Sequence, residues 1–102
     1  MNLYLKCEEF EKYLVKKEET LGGIQYRFKF DNGYGASVVK HLGSYGHDRD
    51  LWELAVIWYS HPEEDIWDLT YDTDITNDVI GYLTDEEVIS ILKQISELSL
   101  SK

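Results

Sequence analysis

The clearest pattern along the chain is the alternation in residues 24–30, IQYRFKF. Ile24, Tyr26, Phe28 and Phe30 fall on one side of an extended backbone, and Gln25, Arg27 and Lys29 on the other. A period of two over seven residues predicts a strand with one buried and one solvated face. Leu21-Gly22-Gly23 before it reads as a tight turn, since both glycines accept positive φ. Asp31-Asn32-Gly33 after it carries the Asn-Gly pair that favours a type I′ hairpin. Residues 34–42, YGASVVKHL, continue as a third strand. Small residues at Gly35, Ala36 and Ser37 predict close packing against a helix, or a bulge. Leu51–Tyr59, LWELAVIWY, is apolar at odd and even positions except Glu53. That marks a central strand covered on both faces, or one covered by a helix on one side and a partner on the other, with Trp52 and Trp58 on the same face.

The flanks are less regular. Leu3, Cys7, Phe10 and Leu14 suggest a helix over about residues 5–13, while Tyr13-Leu14-Val15 alternatively opens a first strand running through Thr20. Exposed Lys and Glu would make that strand an edge. Gly43–Asp50, GSYGHDRD, is a polar connector. Ser60–Asp65 is a turn holding the single proline, and Ile66–Tyr71 a short fifth strand with Trp67, Leu69 and Tyr71 on one face. The next segment, DTDITNDVIGYL, is rich in residues whose side chains bond nearby amides, so turns and a short helical piece are expected. Ile75, Val79, Ile80, Tyr82 and Leu83 would pin it to the sheet. Thr84–Glu87 matches a capping box, with Thr84 as N-cap and Glu87 at the third helical position. Val88, Ile91, Leu92, Ile95 and Leu98 form the apolar stripe of a helix that ends near Leu98. The expectation is a single α+β domain over 1–102. It is a four- to five-stranded antiparallel meander with a C-terminal helix on one face and a short N-terminal helix beside it.

Charge changes this picture more than composition does. Residues 1–49 hold eight basic and seven acidic side chains, whereas residues 50–92 hold twelve acidic and none basic. The formal net charge of −10 therefore arises in the second half. Phosphate backbones and anionic lipid would repel such a chain, so no direct nucleic-acid or membrane partner is expected. Lys6, Glu8 and Glu9 interrupt any leader-like apolar run, and no apolar run approaches the roughly 20 residues that span a bilayer. The expected location is cytoplasmic. Cys7 is the single cysteine and reads as a half-buried structural thiol.

Candidate chemistry is thin. Asp72, Asp74 and Asp78 offer oxygen ligands, but Thr76, Asn77 and Leu83 stand where a calcium loop of the EF-hand kind needs a ligand, a glycine and a glutamate. His41, His47 and His61 lack zinc spacing. No nucleophile elbow or phosphate loop exists, since Gly33-Tyr34-Gly35 has no following lysine and helix. Lys16, Lys17, Arg27 and Lys29 read as a solvated sheet face. The chain thus reads as non-enzymatic and without a cofactor. Glu63, Glu64, Asp65, Asp68, Asp72, Asp74 and Asp78 remain, with no basic neighbour in sequence. Turn formation and solubility explain part of them. The sharper reading is an acidic surface that replaces phosphates against a basic groove of another protein. Two alternatives stay open. One is a self-associating module using Trp52, Trp58 and Trp67; the other is a divalent-metal protein using Asp72, Asp74 and Asp78.

The pieces DNGYGASVVKH, SYG, LWELAVI and LTYDTDITNDVIGYLTDEEV resemble a family of small proteins carried by bacteriophages and prophages. There an NGYGASVV-type hairpin precedes a WELAV-type strand and a YDTPITDDVIGYLT-type segment. The resemblance covers about Asp31 to Leu98, with Asp74 in place of a proline and Asn77 in place of an aspartate. It implies a phage or prophage origin and transfers no catalytic residue. It implies no activity; taken together with the charge asymmetry, that origin leads to the expectation of an accessory protein of the host bacterial cytoplasm. Such a protein would bind a host protein and could inhibit a defence nuclease of the CRISPR or restriction type by mimicking nucleic acid.

Overall fold

The alternating run forms a strand, and its neighbours assemble around it as an antiparallel sheet. The computed structural model describes residues 3–64, 66–70 and 79–98. The strands are β1 (Leu14–Thr20), β2 (Gly23–Lys29), β3 (Tyr34–Lys40), β4 (Trp52–His61), β5 (Ile66–Leu69) and β6 (Ile80–Leu83), followed by helix α1 (Asp85–Ser96). Strands β1 to β5 follow one another across the sheet, and β6 pairs with β4. Because β5 pairs with Ile57–His61 and β6 with Trp52–Leu54, while β3 occupies the opposite side, β5 and β6 lie end to end along one side of β4. The α+β meander is as expected from the sequence, with one strand more. Residues 80–83, expected as part of a turn and helical segment, pair with β4 instead. Ile80 sits opposite Leu54 and Leu83 opposite Trp52.

One face of the sheet holds the main core. Tyr26, Phe28, Ala36, Val38, Trp52, Leu54 and Val56 pack there against Val88, Leu92 and Ile95 of α1 and Leu5, Cys7 and Phe10 of the N-terminal segment. Each fully buried aliphatic side chain contributes about 1.5–3 kcal/mol. The helix starts where the sequence says. The Thr84 hydroxyl accepts from the Glu87 amide at 3.2 Å, and the Glu87 carboxylate accepts from the Thr84 amide at 2.9 Å. Among the described residues no helix is long and apolar enough to cross a membrane.

The N-terminal helix is a six-residue 3-10 turn, Glu8–Tyr13, that buries Phe10 before the chain enters β1. So short a segment cannot repay α-helix nucleation, and the tighter turn suffices to aim one aromatic inward. The Asp31–Gly33 connection is also not type I′. Gly33 alone among these three takes positive φ, at 86°. The Gly33 amide bonds to Phe30 and the Phe30 amide to Tyr34, a three-residue loop with a left-handed glycine. This geometry releases the Asn32 side chain for another task. Its Nδ2 donates to the carbonyls of Ile95 (2.8 Å) and Leu98 (3.1 Å), and its Oδ1 accepts from the Tyr34 amide (3.0 Å). Asn32 thereby ties the carbonyl end of α1 to the hairpin and satisfies groups that no helix satisfies itself.

The second face departs from the sequence expectation. Arg27 is only 6% exposed, and Val39, Ala55, Ile57 and Tyr59 beside it are buried too. The Arg27 guanidinium donates to the Tyr59 hydroxyl at 3.1 Å and lies 5.3 Å from the Trp67 ring centroid. Lys29 rests on the Tyr59 ring at 5.2 Å. Long cationic side chains lay their stems along apolar surface, and their heads find aromatic faces. Of the predicted solvated basic face, Lys16 and Lys17 are exposed as expected, whereas Lys29 is half-buried and Arg27 is buried among the side chains of this face. For β4, cover on both faces is as its unbroken apolar run predicts.

Candidate acidic interface

Helix α1 packs chiefly on β3, β4 and β6; β5 pairs along the Ile57–His61 end of β4. That end is closed by the 3-10 turn Pro62–Glu64, which leads into β5. Glu63 and Glu64 project from this turn and are exposed. Asp68 stands exposed in the middle of β5, directly across from Trp58. Three of the seven carboxylates singled out from sequence therefore share one hairpin. Asp65, Asp72, Asp74 and Asp78 lie outside the described residues.

Apolar side chains accompany these acids. Ile66 and Leu69 are each 45% exposed and Trp58 37%, while Trp67 is half-buried. Trp58 is held from behind: its ring meets Tyr34 edge-on at 4.9 Å, and a Cβ at Gly33 would lie 2.8 Å from it. Asp68 and Trp58 share one face of the sheet with Ile66, while Trp67 and Leu69 lie on the other; an exposed acid beside a supported aromatic has the make-up of a docking surface, in which apolar groups are flanked by polar ones. The sequence reading singled out the carboxylates and missed Ile66 and Leu69, which it assigned only to a strand. The signal was present in IWDL, where both parities are apolar but the strand is too short for cover on both faces.

Trp52 does not belong to any surface. It is fully buried, so the self-association reading loses one of its three tryptophans. Its Nε1 donates to Asp85 Oδ1 at 2.7 Å, and the Lys40 ammonium lies 4.2 Å from its ring centroid. Lys40 is 1% exposed and pairs with Asp50 at 3.0 Å. This buried cation was legible in principle, since Lys40 is in phase with Tyr34, Ala36 and Val38 on the core face. Asp50 is itself about half exposed, so only loss of Asp50 would leave a buried charge, that of Lys40, without this partner. A second acidic place lies at the start of α1, where Lys6, Glu8, Glu9, Asp85, Glu86 and Ile89 line a cleft of about 520 Å³. Asp85 is already engaged there by Trp52.

Among the described residues no group of three or more His, Cys, Asp or Glu side chains is placed to hold a metal ion. The Asp72, Asp74 and Asp78 reading lies outside the described residues. His41 and His61 make local contacts, to the Leu42 carbonyl at 2.8 Å and the Ser60 hydroxyl at 3.3 Å. The Cys7 thiol is buried, and its pKa is raised, first by burial and then by Glu11 and Glu8. Comparison of the chain with protein-family models, with curated proteins and with solved structures found no match.

Proposed function

We propose that this chain is a non-catalytic binding protein whose β4–β5 hairpin docks onto a basic surface of another protein. One observation carries the reading. Glu63, Glu64 and Asp68 are exposed on a single hairpin, with exposed Trp58 and Ile66 on the face of Asp68, in a region, residues 50–92, that has no lysine or arginine. Carboxylates fixed on a sheet occupy places that phosphates take in a basic groove, and the apolar residues add contact that nucleic acid lacks. The acidic surface, taken with the phage or prophage origin that the resemblance implies, favours as partner a host nucleic-acid enzyme of the kind that defends bacteria by CRISPR or restriction. Inhibition would follow from occupying its nucleic-acid groove.

The test is capture from bacterial lysate at low and high salt, with the wild-type chain and a Glu63→Gln, Glu64→Gln, Asp68→Asn variant. Basic nucleic-acid-binding proteins should be retained at low salt, released as the Debye length shrinks, and bound at least about tenfold more weakly by the variant. Retention that survives both salt and substitution would sink the electrostatic reading.

A further inference from the structure

We infer that the outer edge of β5 receives an extended basic segment of the partner, which adds to the sheet as a further antiparallel strand. This rests on the acidic-interface reading and names what occupies it. The backbone supplies the first argument. The Tyr59 amide donates to the Gly33 carbonyl at 2.9 Å, so Tyr59 turns its hydrogen-bonding groups toward β3. Its cross-strand partner Trp67 is then in a non-hydrogen-bonded pair and points its own amide and carbonyl away from β4. The Thr70 amide donates to the Val56 carbonyl at 3.0 Å, which keeps the alternation and turns the groups of Leu69 outward as well. Among the described residues no strand pairs with that edge.

Side chains supply the second argument. A sheet edge is ordinarily blunted by charge, by proline or by a bulge. Here Ile66 and Leu69 are exposed, and Asp68 is the one charged residue in the strand. Adding a strand in this way gives affinity through main-chain bonds and specificity through alternate side chains. The residue arriving across from Asp68 meets a carboxylate, so Lys or Arg fits there. Its two neighbours arrive beside Trp67 and Leu69 on the other face, so apolar residues fit there. The segment recognised is apolar–basic–apolar.

Charge also decides between a partner and a second copy. Two identical edges pair antiparallel only about a twofold axis normal to the sheet, which places one residue opposite itself. Centred on Asp68, it sets two carboxylates face to face. Centred on Trp67 or Leu69, it sets Asp68 against Ile66 or Thr70, so none of these registers gives the carboxylate a cation. Like charges directly opposite are destabilising, and two chains of net charge −10 repel before they meet.

A capped seven-residue peptide with a Val-Lys-Val centre flanked by threonines and lysines is the probe, followed by amide NMR. Binding should shift Trp67 and Leu69 and slow their exchange. The same peptide N-methylated at both valines, or with Glu for the central Lys, should bind at least about tenfold more weakly. Leu69→Pro removes an outward amide and no internal ladder bond, so the chain should stay folded by circular dichroism and lose the peptide. Poly-lysine separates the two readings. If poly-lysine binds and is lost on Glu63→Gln, Glu64→Gln, Asp68→Asn, but the peptide does not bind, the edge inference fails and the acidic interface stands. If neither binds, both fail. Equal binding of the N-methylated peptide, retained binding by folded Leu69→Pro, or shifts confined to another surface would each overturn the inference. So would a dimer of the free chain that Leu69→Pro dissolves, which would give the edge to a second copy.

Discussion

The sheet ends on β1 at one side and on β5 at the other, and the two edges are built from different residues. β1 is seven residues long, and four consecutive charges, Lys16 to Glu19, occupy its centre. Its register slips between Leu14 and Lys16, leaving Val15 as an extra residue. Lys16 and Glu18 pair at 3.7 Å, and Lys17 lies over Tyr26 at 5.4 Å. β5 has four residues, three of them apolar, and its acids stand without a lysine or arginine near in sequence. Charge of both signs and a bulge keep a foreign strand off β1. The one charge that β5 itself carries is Asp68, on the face opposite Trp67 and its Arg27 cation, and it repels an acidic strand and attracts a basic one. A sheet edge can thus be closed to all comers or left selective, and the sign balance along a few residues decides which.

The comparison breaks most completely if the support beneath β5 is removed. Tyr59 is buried under Arg27 and Lys29 and faces Trp67 across the strands. Tyr59→Ala should cost about 3–5 kcal/mol, as for other large-to-small aromatic changes in a core. The loss should show as a lower denaturant midpoint, with β5 amides exchanging well before those of β1 and β2. If both edges lose protection together, β5 is not an independently supported edge.

Arg27→Met is milder. It keeps an apolar stem against the sheet and removes the donor to the Tyr59 hydroxyl and the cation over Trp67. The expected loss is about 1–3 kcal/mol, the usual cost when a buried hydrogen-bond partner is taken away. Trp67 fluorescence should shift toward that of a more solvated ring. A melting curve unchanged from wild type would mean that Arg27 packs by its stem alone.

Much of this architecture was legible because period and burial coincide. The alternation in β2, the unbroken apolar run in β4 and the capping box at Thr84 each have one physical solution, and each was adopted. What the sequence hid depended on tertiary neighbours. Arg27 alternates outward like any solvated residue, and neighbours that include Tyr59 and Trp67, 32 and 40 positions later, make burial favourable. Asn32 reads as a turn residue until α1 brings the carbonyls of Ile95 and Leu98 to it. Residues 80–83 carry no alternation of their own and become a strand because β4 is six residues longer than β5. Of the candidate interface, the sequence showed the carboxylates, since charge needs no fold to be counted. It did not show that Ile66 and Leu69 would stay exposed.

A smaller effect tests the backing of β1. Cys7 is buried in the segment that covers the core face behind β1 and β2, and burial raises its pKa. The fold therefore favours the neutral thiol. The stability this gives is complete below the ordinary thiol pKa and is lost as pH rises through the raised value. The wild-type chain should lose stability on alkaline titration relative to Cys7→Ala, and the native thiol should resist a thiol reagent at mildly alkaline pH until denaturant is added. Rapid labelling of the native chain would mean that the N-terminal segment opens from β1 far more readily than its packing implies.

The smallest change in stability carries the sharpest test of the two edges. Lys16 and Glu18 are both about half exposed, and an ion pair of that kind contributes about 0–1 kcal/mol. Replacing both with threonine, a good strand former, should therefore shift the melting temperature hardly at all. It should nevertheless change behaviour in solution, because two charges that deter edge pairing are gone from the middle of a seven-residue strand. If charge is what closes β1, the variant gains mass with concentration by light scattering while the wild-type chain does not. If the variant keeps the wild-type mass at every concentration, the bulge at Val15 closes the edge by geometry. In that case β5, which has no irregularity between Trp67 and Leu69, differs from β1 in shape before it differs in charge.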